Sequence, residues 1–461
     1  VLSAGGIGTS ENCVHTSKRL CLLAMLASLL VAIAGCGADG AVKAPAAFDV
    51  FVDSPAVLAP VALSAEPAWG SEQVPVKHVS DVQFRGETAI VTGSAESNSS
   101  TAFVTAVDAV TGSVTWSIKT LEDLPGGDGA VLWDSSAYVA GTADNWVVLV
   151  NYYSSDCTSG LCPPGTVDST DEQGVAALSP VDGSVLWKVA GVPSVAEDSE
   201  QADELQDVSA LLLTASDGVA LMVVAPTDAV YGSKFDKPDK IEIIALNPLD
   251  GSTLWTTTGV WPRQIVGDVV LASVPPGALA DGPGTLAALD TTSGKQLWTL
   301  ADTYPQAGLV VASPGALVVR QVEKGKLTNF LIRMSDGSKI ADISHTSTTC
   351  AADSAAEVIA CSIDGDPGKM RLMTYRSGDA AIKVSKRSVP DEMITAVHNG
   401  YVFYGAYGAD PSYGAADYAG NIVSTGLPGR AVAVTDKYAV FDTTKKANTD
   451  PGSFAVYGIV A

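Results

Sequence analysis

From about residue 74 to the end, short runs of alternating apolar and polar positions follow one another, separated by turns of Gly, Asp, Asn and Ser. One arrangement recurs almost word for word, as AVDAVTGSVTW (106–116), ALSPVDGSVLW (177–187), ALNPLDGSTLW (245–255) and ALDTTSGKQLW (288–298). Period-two alternation on both sides of a glycine turn predicts two antiparallel strands joined by a hairpin. No long stretch spaces its apolar residues at i, i+3, i+4 and i+7, so little helix is expected.

The turn glycines are Gly112, Gly183, Gly251 and Gly294, with weaker copies at Gly337 (MSDGSKIADI), Gly378 (YRSGDAAIKV) and Gly420 (DYAGNIVSTG). Their spacings are 71, 68, 43, 43, 41 and 42 residues. A period near 42 residues that holds four strands is the signature of a propeller blade, and the two long spacings accommodate insertions. After the last turn, RAVAVTD, KYAVFDTT and SFAVYGIVA supply three further strands, and VPVKHV (74–79) is the expected fourth. Pairing the two ends of the chain would leave no exposed sheet edge. The expectation is an all-β, eight-bladed propeller of four-stranded antiparallel blades whose last blade is shared between the chain ends, with seven blades as the alternative.

The pattern A-x-[DNS]-x-x-x-G-x-x-x-W opens at Ala106, Ala177, Ala245 and Ala288 and closes at Trp116, Trp187, Trp255 and Trp298. It resembles the PQQ-type repeat of quinoprotein-like β-propellers. That resemblance implies that each tryptophan docks between neighbouring blades, against the alanine and turn backbone of adjacent motifs. A large indole set between sheets would join blades that cannot bury their own faces.

The front of the chain reads differently. Lys18 and Arg19 precede sixteen uncharged residues, LCLLAMLASLLVAIAG, and then Cys36. Such a run is too short for a spanning helix and fits a secretory signal, expected over residues 1–35. Ile33, Ala34, Gly35 and Cys36 resemble a bacterial lipobox, which implies acylation of Cys36 and anchoring by its acyl chains. Residues 36–73 are Ala- and Pro-rich and read as a tether, with enough apolar residues to lie along the body instead; 74–461 reads as the propeller domain. The long stretch ahead of Lys18, headed by Val1, suggests a translation start further downstream.

Export also accounts for the cysteines. Cys13 and Cys21 leave with the signal, and the four beyond Cys36 form two local pairs, Cys157 with Cys162 and Cys350 with Cys361, expected as disulfides. Closing loops of these lengths would contribute about 2 and about 3 kcal/mol in the chain-entropy model. CTSGLC (157–162) is an alternative metal or redox site, but its spacing is not C-x-x-C and no histidine lies nearby.

Composition narrows the function. Of 461 residues 47 % are hydrophobic, enough for a large core, and the net charge of −24 lacks the clustered Lys and Arg that nucleic acid or anionic lipid would require. The long loops SAESNSST (94–101), 157–162, 231–239 and DGDPGK (364–369) are expected between second and third strands, on the face opposite the tryptophan hairpins. Insertions on one face of a repeat protein point to a working surface there. Tyr152, Tyr153, Tyr231, Phe235, Tyr404, Tyr407 and Tyr413 are candidates for it, either as an adaptable aromatic patch or as strand packing. The acidic run AEDSEQADELQD (196–207) is expected as solvated linker, since it lacks calcium-loop spacing.

Quinoprotein dehydrogenases of the resembled family use an adjacent-cysteine disulfide, calcium-binding acids and a catalytic Asp. The sequence has no Cys-Cys pair, no G-x-S-x-G elbow, no P-loop and only four histidines. No catalytic residue, metal site or cofactor is therefore assigned, and PQQ and Ca²⁺ are disfavoured. BamB-type lipoproteins, propellers of the same repeat without the quinone that act as scaffolds in outer-membrane protein assembly, are the nearest functional analogue. The expectation is a monomeric, lipid-anchored scaffold of the bacterial envelope that binds envelope proteins; a small-molecule or glycan-binding propeller is the alternative, and a quinoprotein-type dehydrogenase the less favoured one.

Overall fold

The computed structural model describes residues 49–50 and 58–460 apart from 96–100, 155–171, 193–207, 228–237, 275–283, 304–308, 324–325, 344–345, 365–368, 380, 391–392, 406–411 and 445–452. The chain divides into two units at Ala44/Pro45, and all the described residues belong to the second. Among the described residues helix is confined to the 3-10 turn Pro238–Lys240 and to Thr227; the rest of the regular structure is strand.

The strands form eight consecutive antiparallel blades: residues 78–119, 130–192, 208–258, 261–303, 309–342, 346–390, 393–425 and, for blade 8, 430–458 together with Trp69–Gly70. Blades 4 and 5 share one continuous sheet through a single pair, Thr303 with Gln321. The first strand of each blade is innermost. First strands of neighbouring blades touch nearly all the way round, and Arg430–Val434 of blade 8 meets His78–Arg85 of blade 1, so the ring is closed.

Burial follows position within the blade. Second and third strands such as Thr88–Ser94 and Ala102–Asp108 are largely buried on both faces and rich in Ala, Val and Thr. An outer strand such as Val114–Lys119 alternates strictly, with Trp116 and Ile118 inward. Runs buried on both faces are what stacking a sheet between two others requires. The core accordingly falls into eight clusters, one at each junction between blades.

The closing strand differs from the expected one. It is Trp69–Gly70, paired antiparallel with Ala455 and Val456, and not residues 74–79. Val74 and Val76 are buried, but in the segment that leads into the first strand of blade 1, within the cluster between blades 8 and 1. The alternation there marks a buried segment and not the closing strand, because Lys77 and His78 pair with Ser94 in blade 1. The chain also joins the body well before residue 74. Asp49 and Val50 pair in parallel with Lys383 and Val384 at the outer strand of blade 6, and Leu63 bridges to Ile459 in blade 8. Between them the Tyr401 hydroxyl donates to the Ala59 carbonyl (3.0 Å) and the Val61 amide donates to Ser424 Oγ (2.8 Å), both in blade 7.

Candidate interaction surface

The repeated hairpins join third and fourth strands, and each tryptophan reaches the next blade. Trp116 Nε1 donates to the Pro180 carbonyl (3.0 Å), Trp187 to Pro248 (3.1 Å), Trp255 to Thr291 (2.7 Å) and Trp298 to Met334 (2.7 Å). In every case the acceptor lies three residues ahead of the next blade's turn glycine. Within its own blade each tryptophan stands opposite the motif alanine: Ala106, Ala177, Ala245 and Ala288. The missing side chain bulk there leaves room for the neighbouring sheet.

The turn glycines are required twice over. Gly112, Gly183, Gly251, Gly294 and Gly337 have φ between 66° and 74°, where a side chain is strained. A Cβ at Gly183 would also lie 3.0 Å from the Trp116 ring, and one at Gly294 2.5 Å from the Trp255 ring. Ahead of each tryptophan one residue, Thr115, Leu186, Leu254 or Leu297, bulges out of the ladder. The bulge turns the indole toward the next blade.

Trp69 completes this series and carries no recognisable motif. Its Nε1 donates to the Ala109 carbonyl (2.9 Å), and a Cβ on Gly112 would lie 2.3 Å from its own Cβ. It therefore docks blade 8 onto blade 1 as the other four dock blades 1 to 5. The signal that could have found it is the run PAW, whose small residue and tryptophan imitate an outer strand with its hairpin removed.

The hairpin face is where apolar surface collects. Of eleven large apolar side chains exposed among the described residues, seven stand on or next to these hairpins: Val110, Val114, Val181, Leu186, Leu254, Leu297 and Ile422. Leu186, Leu254 and Leu297, the bulge residues, are 54, 45 and 49 % exposed and occupy equivalent places on three successive blades. Leu254 borders a groove of about 710 Å³ between blades 3 and 4, shared with Asp217, Val219, Asp268 and Thr291. Arg85 of blade 1 pairs with Asp217 of blade 3, reaching past blade 2 on the same face.

Charge on this face is fixed and negative at the turns. Hydrogen bonds from Thr111 hold the Asp108 carboxyl below its ordinary value of 3.8, and those from Ser184 do the same for Asp182. Ser252 lowers Asp250, and Ser293 with Thr292 lowers Asp290. Half-buried polar groups of the inner strands have the opposite character. Burial pushes the Asp134 carboxyl up, and it drives the Tyr138 hydroxyl, which donates to Leu213 of blade 3, up to about 12. Arg263, half-buried beside Ser273, is lowered to about 10 by the same desolvation.

The aromatic candidates divide. Tyr152 and Tyr404 are buried and cannot form a contact surface: Tyr152 donates to Glu172 Oε1 (2.7 Å) inside the junction of blades 1 and 2, and Tyr404 packs in the junction of blades 6 and 7. Both lie on second strands, where each face meets a neighbouring blade. Tyr153, stacked edge-on against Trp133, and Tyr413 are half-buried. Tyr231, Phe235, Tyr407, Cys157, Cys162 and Cys36 lie outside the described residues, as do the acidic run 196–207 and most of the long loops.

Cys350 and Cys361 form a disulfide between directly opposed residues of the two inner strands of blade 6. They are 11 positions apart, and among the described residues no three of His, Cys, Asp and Glu converge as metal ligands.

A family model described as outer membrane protein assembly factor BamB matches residues 170–362, from the third strand of blade 2 into blade 6. No curated protein matches the chain. Among solved structures, BamB from Moraxella catarrhalis is 12 % identical with a TM-score of 0.40, covering 86 % of this chain and 100 % of its own. Quinohemoprotein alcohol dehydrogenase from Comamonas testosteroni is also 12 % identical, with a TM-score of 0.46, over 86 % of this chain and 76 % of its own. The chain is an eight-bladed β-propeller of PQQ-like repeats that resembles the BamB-type proteins.

Proposed function

We propose that this chain is a non-catalytic, protein-binding scaffold of the bacterial cell envelope, held at the membrane by acyl chains on Cys36. The observation that carries the reading is the row of exposed apolar side chains on the tryptophan hairpins of blades 1 to 4. A water-exposed apolar rim flanked by fixed carboxylates is the composition of a contact surface, with apolar anchors inside a polar border. The rigidity needed to hold those anchors in place comes from the docked indoles directly beneath them. The family description at residues 170–362 supports an envelope assembly role of the same kind. In this reading the propeller works without quinone or calcium.

The test is photo-cross-linking in the native envelope, with the full, exported chain carrying a photoreactive residue in place of Leu186 or Leu254. One envelope protein captured at both positions, and not from Leu121 on the opposite face, is the expected result. Equal capture from all three positions, or none, would contradict the reading. Incubating the purified protein with PQQ and Ca²⁺ should yield no alcohol-dependent dye reduction; turnover would make it an enzyme.

A further inference from the structure

On the face opposite the hairpins, where blade 8 meets blade 1, lies a cavity of about 90 Å³. Lys77 and His78 enter it from the start of the inner strand of blade 1, Arg430 from the start of the inner strand of blade 8, and Asp442, Thr444 and Ser453 from the strands beside it. Three nitrogen bases therefore face one carboxylate, in a chain with 51 acidic and 27 basic residues.

That carboxylate already has partners. Arg430 Nη2 donates to Asp442 Oδ2 (3.1 Å), and the Thr444 amide donates to Oδ1 (3.1 Å). The Lys77 ammonium donates to the Ser71 carbonyl, which engages one of its three N–H groups and sets it at the cavity. His78 Nε2 is buried with no hydrogen-bond partner. Val79, Val432 and Phe454 complete the lining, so the basic groups stand against an apolar wall. The volume is several times the roughly 10–15 Å³ that one water requires, and far below what a nucleotide or sugar needs.

We infer that this cavity binds a small tetrahedral oxyanion, of the phosphate or sulfate class, that bridges blades 8 and 1. Lys77 and Arg430 supply charge-assisted hydrogen bonds from the two sides of the seam, and His78 lies beside the anion. The position gives the site a consequence: an anion held by both blades stabilises the seam at which the two ends of the chain close the ring. The cavity and its residues carry this site by themselves, independently of the scaffold reading.

The test uses the full chain and inorganic phosphate. Thermal unfolding is followed against phosphate concentration and against sodium chloride at equal ionic strength, and the imidazole resonances of His78 are followed by NMR in the same titration. The expected result is a saturable rise in melting temperature beyond chloride, with His78 shifting along the same isotherm. K77Q should weaken phosphate binding about tenfold or more. A response no larger than that of chloride, His78 resonances that do not move, or undiminished binding in K77Q would each overturn the inference. Should K77Q fail to fold, the His78 titration of the parent decides.

Discussion

Five of the eight junctions are fastened one way and three another. From blade 8 through blade 5, tryptophans 69, 116, 187, 255 and 298 each cross to the next turn, and among the described residues the clusters there hold 11 to 15 buried apolar residues. At the junctions 5–6 and 7–8 the tryptophan position is taken by Ala341 and Ser424, at 6–7 the turn glycine Gly420 meets Ser385 and the Arg387 backbone, and the clusters fall to ten, nine and five. The N-terminal segment runs along this thinner side. It pairs with the outer strand of blade 6, hydrogen-bonds to blade 7 at Ala59 and Val61, and adds Val61 and Leu63 to the smallest cluster before becoming the closing strand. The Cys350–Cys361 disulfide lies on this side as well. A repeat that loses its docking residue keeps its ring when a segment from elsewhere in the chain covers the gap.

The largest effect is expected at Trp69, where both devices meet. Trp69→Ala removes a side chain that is 1 % exposed, its hydrogen bond to Ala109 and the contact with Phe454, and should cost about 3–5 kcal/mol in denaturant unfolding. Trp187→Ala, at a less buried indole, should cost less; equal losses would remove the special place given to the closing strand.

Two glycines sharpen the contrast further. Gly183 and Gly378 both have positive φ, 73° and 83°, but only Gly183 faces an indole, and nothing lies within 4 Å of a Cβ built on Gly378. Gly378→Ala should therefore cost about 1–2 kcal/mol from backbone strain alone, and Gly183→Ala about 1–3 kcal/mol more from overpacking against Trp116. Similar melting temperatures for the two variants would mean that the tryptophan yields freely.

On the strapped side, Tyr401→Phe removes the hydrogen bond to Ala59 and should cost about 0.5–1.5 kcal/mol, seen as faster amide exchange in residues 58–63 with blades 1 to 4 unchanged. The smallest effect concerns the hairpins in acid. Asp108, Asp182, Asp250 and Asp290 are held below 3.8 in the fold, so the stability they contribute is complete above that value and is lost as pH falls below it toward the folded pKa. Tryptophan fluorescence should stay constant down to about pH 4 and change only in more acidic solution; a transition at higher pH would place the acid-sensitive groups elsewhere.

Legibility in the sequence depends on distance along the chain. Each of the four motif hairpins lies within eleven residues, so its turn, bulge, alanine and tryptophan are written side by side. The disulfide in blade 6 was legible for the same reason, since Cys350 and Cys361 flank a single hairpin. Trp69 lies 40 residues from the carbonyl it binds and pairs with the other end of the chain, so no local pattern announces it. For Tyr152 and Tyr404 the choice between contact patch and strand packing stayed open because aromatic composition looks the same in both; the stacking of blades makes them packing. The apolar rim went unread because Leu186, Leu254 and Leu297 are apolar residues at positions that the alternation of the outer strand turns outward, next to the inward tryptophan.

Indoles hold one side of the ring and the N-terminal segment the other. Native-state hydrogen exchange on the full chain and on Trp69→Ala tests this division most directly, strand by strand. In the parent, the second strands of blades 7 and 8 should open at lower free energy than those of blades 2 to 4, and Trp69→Ala should lower protection first in blades 8 and 1. Uniform protection around the ring, or a loss in the variant spread evenly over all eight blades, would contradict it.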